Sequence, residues 1–331
     1  MPLKAIALLS GGLDSMLAIR AVQLQGVEIE ALNFRTQFAC CRETATRAAR
    51  LLDVPLTVLA EEDAYLDVIR HPKFGYGRGA NPCVDCRIFM FQRARRYMDE
   101  VGGELVVSGE VLGQRPMSQK RRDLMIIERH SGLEGRLLRP LSAHRLPPTL
   151  AEQSGAIDRA RLYDFSGRSR KGLIALGRQF GFPDEEMPSP STGCMLTQQS
   201  FAPRVYDLVR WDAENSPWDF ALLKVGRHLR LDSETKVVVG RRESENQHLQ
   251  RIAAEPTSRA SAVLVPQNFQ GPTALIVGPA TPEALDFAGG LILRFCHYHG
   301  AETPLLEIDG PEGRSVREAI RNPRAETAAM L

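Results

Sequence analysis

Short apolar runs alternate with amphipathic helical stretches through the first half of the chain. Leu3–Leu9 and Val27–Phe34 are typical of buried strands, and Leu13–Gln25 between them is typical of a helix. The pattern continues through predicted helices and strands at Glu43–Leu52, Leu56–Ala60, Ile88–Glu100 and Glu104–Ser108. This alternation predicts an α/β fold with a parallel, doubly wound sheet. In such a sheet, ligands bind beyond the carboxyl ends of the strands, near a switch in strand order.

The pattern changes after a proline-rich stretch at 183–190, which we predict to be a domain boundary. Beyond it, Ala221–Leu231 and Thr235–Val239 alternate like strands, and Glu283–Tyr298 has one clear helical pattern. These elements predict a second, smaller α+β domain. We therefore expect a first domain at 1–190, a second domain at 200–315 and a flexible tail at 316–331.

A glycine-rich turn joins the first predicted strand to the first predicted helix. Its sequence is Ser10-Gly11-Gly12-Leu13-Asp14-Ser15. Glycines in this position let backbone N–H groups face a phosphate at the helix N-terminus. The chain lacks G-x-x-x-x-G-K-[ST], so the turn is not a Walker-type loop. A turn without a ligand is the alternative, but the strand–turn–helix context favours an anion site.

This turn resembles the PP-loop, S-G-G-x-D-S, of the ATP pyrophosphatase family, whose fold is a HUP-type, Rossmann-like sheet. Ser108–Gln119 is similar to T-G-E-x-L-G-Q-x-x-S-Q of the tRNA 4-thiouridine synthetases, and Leu138–Leu141 matches their L-R-P-L. Asn81-Pro82-Cys83 with Cys86, and Ser191-Thr192-Gly193-Cys194, resemble motifs of the tRNA 2-thiouridylases. The resemblance implies an ATP-dependent tRNA sulfurtransferase, which adenylates a uridine carbonyl oxygen and replaces that oxygen by sulfur.

The same resemblance implies roles for individual residues. Asp14 would assist Mg²⁺ or fix the loop, and Asn33 and Phe34 would border the adenine. Gly109, Glu110 and Gln114 of the second motif would line the part of the site that holds the nucleotide and the target uridine. The implied ATP-binding residues are Ser10, Gly11, Gly12, Asp14, Ser15, Asn33, Phe34, Gly109 and Gln114.

The chain has six cysteines, which in a reducing compartment indicate metal or redox chemistry before disulfides. The resemblance offers two catalytic roles for Cys83, Cys86 and Cys194. They would be ligands of a [4Fe-4S] cluster with one open iron, or a persulfide and its resolving partner. We favour the cluster because the sequence shows no rhodanese-like domain to relay a persulfide. Alternatively, these three cysteines are small buried hydrophobic residues or an incomplete zinc site. The pair Cys40-Cys41 has two possible roles, as a relay of sulfur or as packing at the start of a helix.

Composition limits the remaining choices. The hydrophobic fraction of 43% is enough for two cores, and no apolar run approaches the ~20 residues of a membrane span. The first residues lead straight into a predicted strand without a signal peptide, so we expect a cytoplasmic protein without membrane association. Because the net charge is only +2, a surface that binds nucleic acid must be local.

Several basic segments are candidates for that surface. Arg115 and Lys120–Arg122 surround the second motif, and Arg168–Lys171 opens a helical stretch. Gly-Arg turns at Gly226-Arg227 and Gly240-Arg241 lie in the second domain, which is similar to the RNA-binding domain of NFACT-type proteins. We expect tRNA as partner, with sulfide or a cysteine desulfurase as sulfur donor, and we leave a homodimer open.

Three other functions stay open at this point. A PP-loop enzyme can instead form an amide by adding ammonia to an adenylate, or thiolate a small molecule. The chain can also be an RNA-binding protein without turnover. The sequence does not decide between 4-thio and 2-thio products.

Overall fold

The computed structural model describes residues 2–38, 42–60, 62–188, 194–300 and 302–331. Its chain forms two compact units, Met1–Gln198 and Gln199–Leu331. Cys40-Cys41 and the three residues before Cys194 lie outside the described residues. No helix in the described ranges is long and apolar enough to cross a membrane.

The first unit contains a parallel sheet in the order β3-β2-β1-β4-β5. Ala5, Ile6 and Ala7 of the central strand are fully buried, because helices cover both faces of the sheet. The strands are β1 (Lys4–Leu8), β2 (Glu28–Arg35), β3 (Leu56–Ala60), β4 (Leu105–Val107) and β5 (Leu137–Leu138).

Helices on the two faces form separate apolar cores. On one face Met16 and Leu176 pack with β1, and on the other face Phe91 and Ile127 pack with Ile6. The helices are α1 (Leu13–Gln23), α2 (Arg42–Leu52), α3 (Glu62–Arg70), α4 (Cys83–Glu100), α5 (Arg121–Ser131), α6 (Leu150–Gln153) and α7 (Lys171–Gln179). Single 3₁₀ turns lie at Pro140–Arg145, Arg159–Arg161, Asp184–Glu186 and Met195–Thr197.

The strand order reverses next to β1. The chain moves outward from β1 to β2 and β3 on one side, and β4 pairs with the other side of β1. The loops after β1 and β4 therefore meet at one edge of the sheet, which is where an open α/β sheet binds its ligand. The predicted parallel α/β fold is confirmed.

The second unit is a separate α+β body with an antiparallel sheet in the order β11-β10-β8-β9-β7-β6. Phe287 and Leu291 of its long helix α11 are buried against that sheet. The strands are β6 (Arg227–Arg230), β7 (Lys236–Val239), β8 (Ala260–Pro266), β9 (Ala274–Val277), β10 (Leu305–Gly310) and β11 (Gly313–Glu318). The helices are α8 (Ala202–Trp211), α9 (Pro217–Leu222), α10 (Glu243–Ala253), α11 (Pro282–Cys296) and α12 (Pro323–Thr327).

Three segments differ from the sequence predictions. Helix α4 begins at Cys83, five residues before the predicted start at Ile88. The prediction missed this first turn because its one aliphatic residue, Val84, is too little to show a helical period. The first residues of the predicted strand at Ala221–Leu231 belong to α9, which Ser216 starts through a capping box. The segment 316–331, expected to be a flexible tail, instead supplies part of β11 and the helix α12, whose Ala325 is fully buried.

Candidate active site

The PP-loop segment connects β1 to α1 in the geometry of an anion site. Gly12 precedes the helix in an extended conformation and has no side chain to cap the first N–H groups. Its N–H donates to Ser10 Oγ at 3.3 Å, and Ser15 Oγ donates to Gly12 O at 2.8 Å. The loop is thus held from within, and the helix N-terminus stays available to a phosphate.

Two glycines let other segments pack directly on this loop. Gly11 has a φ of +79°, and a Cβ there would lie 2.5 Å from the backbone carbon of Thr44 in α2. A Cβ at Gly109, just after β4, would lie 2.6 Å from the backbone carbonyl of Asp14. Gly109 therefore lies against the loop's backbone, and its lack of a side chain is what permits that contact.

Asp14 is the buried acid of the loop. Burial raises the pKa of its carboxyl, while the Gln114 side chain and the charges of Arg170 and Arg115 oppose that rise. Among the described residues, no donor reaches the buried Asp14 Oδ1. An orphaned carboxylate oxygen beside a phosphate site fits a Mg²⁺ ligand. The structure also brings Gln114, a predicted site residue, to this carboxylate.

Asn33 and Phe34 end β2 at the same edge of the sheet. The amide of Asn33 is buried and donates to Leu9 O at 2.8 Å, which ties the end of β2 to the end of β1. Phe34 packs against the core that includes Phe91 of α4. Both residues lie beside the loop, and their contact with adenine stays a prediction.

Glu110 is neutralised by arginines. It is almost fully buried, with Oε2 3.0 Å from Arg139 Nε and Oε1 3.6 Å from Arg87 Nε. Arg139 also donates to Glu128 at 2.8 Å. This arginine belongs to the L-R-P-L motif, which the sequence marked without indicating its partner. The buried ion pair anchors the loop after β4.

The three cysteines named by the motifs come together in the first unit. Cys83 and Cys86 lie on the first turn of α4, and Tyr65 donates to Cys86 Sγ at 3.5 Å. Burial raises the pKa of all three thiols, for Cys194 to about 12, and the charges of Cys86 and Cys83 push Cys194 in the same direction. Neutral thiols are therefore stable here until a metal or cation compensates the thiolate charge.

A backbone contact brings Cys194 to α4. Gly79 has a φ of +62°, and a Cβ there would lie 2.5 Å from Leu196 O. The next residue, Ala80, donates its N–H to the same oxygen at 2.9 Å. The glycine-rich segment at 75–79 thus packs, through Gly79, against the residues that follow Cys194.

Arg115 connects the two halves of the site. Burial and the charge of Arg87 lower the pKa of its guanidinium, while Asp14, Cys83 and Glu110 act in the opposite direction. One guanidinium is therefore within electrostatic reach of the loop acid and of a thiol. Sequence reasoning placed this arginine among the basic residues around the second motif and missed its central position.

In the described ranges, no three His, Cys, Asp or Glu side chains are arranged to hold one metal ion, and Cys83, Cys86 and Cys194 are no exception. The thiols therefore form no ready site for a single zinc ion. Cys40-Cys41, a candidate sulfur relay, lies outside the described residues.

The parallel sheet, its switch point and the glycine loop define a nucleotide-binding α/β domain of the PP-loop HUP class. Residues 3–129 match the family model of the tRNA methyl transferase HUP domain, and residues 226–328 match that of the NFACT protein RNA binding domain. The chain thus contains one segment similar to a HUP domain and another similar to an RNA-binding domain of the NFACT type, and the resemblance seen in the sequence is confirmed.

Individual relatives match shorter stretches. Two tRNA-specific 2-thiouridylases MnmA, from two strains of Acidithiobacillus ferrooxidans, are each 31% identical over 117 residues, which are 32% of this chain and 33% of theirs. The chain spans about a third of the length of these curated relatives.

Solved structures with a related arrangement share little sequence. A 4-thiouridine synthetase in complex with RNA and bound ATP is 20% identical, with a TM-score of 0.40 over 62% of this chain and 50% of that chain. A predicted tRNA methyltransferase subunit from Methanocaldococcus jannaschii is 13% identical, with a TM-score of 0.35 over 54% of this chain and 76% of that chain.

Proposed function

We propose that the protein is an ATP-dependent tRNA sulfurtransferase that converts a uridine to a thiouridine. The observation that carries the proposal is the position of the loop after β4, which lies against Asp14 at Gly109 and, through Met117, against Gly77 in the segment that precedes Cys83. An enzyme that activates an oxygen with ATP and then replaces it by sulfur needs both reagents at one carbon. An amide-forming ligase would need the loop acid without the thiols.

In the first stage, the uridine carbonyl oxygen attacks the α-phosphate of ATP and pyrophosphate leaves. The open helix N-terminus after Gly12 would hold the pyrophosphate. The orphaned Oδ1 of Asp14 would bind Mg²⁺, and Arg170 would balance phosphate charge in the same place. This division of labour relies on positioning and charge neutralisation, as phosphoryl and adenylyl transfer generally do.

In the second stage, sulfur attacks the activated carbon and AMP leaves with the former carbonyl oxygen. Three partly buried thiols in mutual electrostatic reach are a donor set that suits iron and sulfur. A [4Fe-4S] cluster held by Cys83, Cys86 and Cys194 would supply an open iron that carries hydrosulfide. A persulfide on one of the same cysteines is the competing arrangement.

The RNA partner is proposed from the second unit. Its match to an RNA-binding domain covers 226–328, and the chain carries it beside a HUP domain similar to those of tRNA thiouridylases. We infer that this unit binds tRNA while the first unit performs the chemistry. Sulfide or a cysteine desulfurase would supply the sulfur.

The direct test is an anaerobic incubation of the full chain with unmodified tRNA, ATP, Mg²⁺ and sulfide, followed by mass spectrometry of the nucleosides. We expect a thiouridine that forms only with ATP. Its chromatographic identity gives the 2-thio or 4-thio isomer.

Cysteine variants separate the two sulfur schemes. Cys83→Ser, Cys86→Ser and Cys194→Ser should each lose both bound iron and thiouridine, while Cys296→Ser in the second unit keeps both. This comparison uses a cysteine desulfurase with cysteine as the sulfur source, because sulfide alone forms no persulfide without an oxidant; a variant that keeps its iron but loses thiouridine then supports the persulfide. If wild-type protein releases pyrophosphate but makes no thionucleoside, tRNA is not the acceptor.

A further inference from the structure

Two glycine–arginine turns at one end of the second sheet hold each other's arginines. Arg227, the first residue of β6, pairs with Val239 at the end of β7. Arg227 Nη1 donates to Gly240 O at 3.0 Å, and Arg241 Nη2 donates to Gly226 O at 2.8 Å. Each guanidinium thus binds the carbonyl of the glycine that precedes the other arginine. The two cations are fixed side by side.

A third arginine joins them from α8. Arg204 Nη1 donates to Leu223 O at 2.9 Å, and no acceptor among the described residues reaches its buried Nε. Burial and the charge of Arg241 lower the pKa of both Arg204 and Arg227, while Glu245 opposes the shift. The positive charges of three guanidinium groups are thus opposed by the single carboxylate of Glu245. We call Arg204, Arg227 and Arg241 the arginine cluster.

The arginine cluster is held in place before any ligand arrives. Arg227 Cζ lies 4.6 Å from the centre of the Phe295 ring, which Arg294 also contacts at 5.1 Å. The ring and the carbonyl contacts fix the guanidinium planes. A guanidinium has five N–H donors, and the backbone carbonyls use one from each cluster member. The remaining donors suit a planar, doubly bonded contact with phosphate oxygens.

We propose that the arginine cluster binds a phosphodiester of the RNA backbone. The inference rests on the proposed function, in which RNA is the partner of this unit. The match to an RNA-binding domain includes Arg227 and Arg241, and Arg241 is exposed at an open turn that a long polyanion can approach. Contacts of this kind fix the position of the RNA without reading its sequence.

The test measures the affinity of the full chain for a labelled tRNA transcript by fluorescence anisotropy over a range of salt concentrations. Arg204→Gln, Arg227→Gln and Arg241→Gln should each weaken binding about three- to tenfold at about 150 mM salt. Each should also reduce the slope of log K against log [salt] by about 0.7 to 0.9. Arg314→Gln, in β11 at the opposite edge of the sheet, is the matched control and should change neither.

Lysine variants separate charge from folding. Arg227→Lys and Arg241→Lys keep the charge and should keep most of the salt slope, and thermal melts of every variant check the fold. If the glutamine variants fold and bind tRNA with wild-type affinity and salt slope, the arginine cluster does not bind the RNA backbone. That result leaves tRNA as the proposed substrate. Wild-type protein that does not bind tRNA overturns both proposals. Inorganic phosphate is added as a competitor at constant ionic strength. If it displaces the labelled tRNA, the cluster is a site for free phosphate and the RNA assignment is overturned.

Discussion

Replacing Gly109 by alanine tests whether the loop after β4 positions the ATP site. The new Cβ would lie 2.6 Å from the backbone carbonyl of Asp14, about 0.8 Å inside an ordinary contact of 3.4 Å. The neighbour is backbone, so a side-chain rotation cannot relieve the contact, and the PP-loop has to shift by nearly that distance. Overpacking of this kind costs about 1–3 kcal/mol, which is less than the usual stability of a domain.

The effect on activity is expected to be larger than the effect on stability. A misplacement of about 1 Å in a reacting group can cost about a hundredfold in rate. We therefore expect Gly109→Ala to fold, with a lower midpoint of thermal unfolding, and to release pyrophosphate from ATP about a hundredfold more slowly. Pyrophosphate release is followed in a coupled assay with tRNA present.

Gly310→Ala is the matched control. Gly310 ends β10 in the second unit, and a Cβ there would meet its nearest neighbour at 3.7 Å, an ordinary contact. This variant should release pyrophosphate at the wild-type rate. Normal pyrophosphate release by Gly109→Ala would refute the reasoning, because the loop would then tolerate the displacement.

Three further predictions concern buried charge. Asp14→Asn should abolish pyrophosphate release. It should also raise the unfolding midpoint without nucleotide by about 2–4 °C, because it removes a carboxylate that burial disfavours. A lower midpoint would mean that the favourable interaction of the carboxylate with the nearby arginines is larger than its desolvation penalty. Arg139→Gln leaves the buried carboxylate of Glu110 with only its longer contact to Arg87 and should cost about 3 kcal/mol in urea unfolding, whereas Arg178→Gln in an exposed pair should change the midpoint little. Burial holds the pKa of His228 well below its usual value, so the folded state takes up fewer protons than the unfolded state and stability falls below about pH 6.5, by up to about 1.4 kcal/mol per pH unit. His228→Gln should flatten that acid dependence in thermal melts and exposed His299→Gln should not; an equally steep dependence in His228→Gln would assign it to other groups.

Local patterns were sufficient to predict the part of the fold that holds the nucleotide. The strand, the glycine turn and helix α1 are contiguous in sequence, so apolar period and turn chemistry describe them completely. The start of α4 was missed because the turn that begins at Cys83 has one aliphatic residue, Val84, which is too little to show a helical period.

Arg115 shows why the rest of the site needs a structure. Asp14 and Cys83 come from different helices, α1 and α4, and nothing in their spacing indicates that one guanidinium interacts with both. The L-R-P-L motif likewise gave the position of Arg139 without its buried partner. Long-range ion pairs depend on tertiary packing, which single-sequence patterns do not encode.

The backbone hydrogen bond from Ala80 N–H to Leu196 O also has a consequence for biosynthesis. Cys86 and Cys194 are 108 positions apart, so at about 5–20 residues per second the ribosome adds the third thiol roughly 5–20 s after the second. Until then the nascent chain holds the PP-loop segment, Cys83 and Cys86, together with Ala80, whose N–H later binds Leu196 O. The three cysteines that we propose to carry sulfur are thus among the last parts of the first unit to come together, and a chain that terminates before Cys194 keeps its glycine loop but lacks the third thiol.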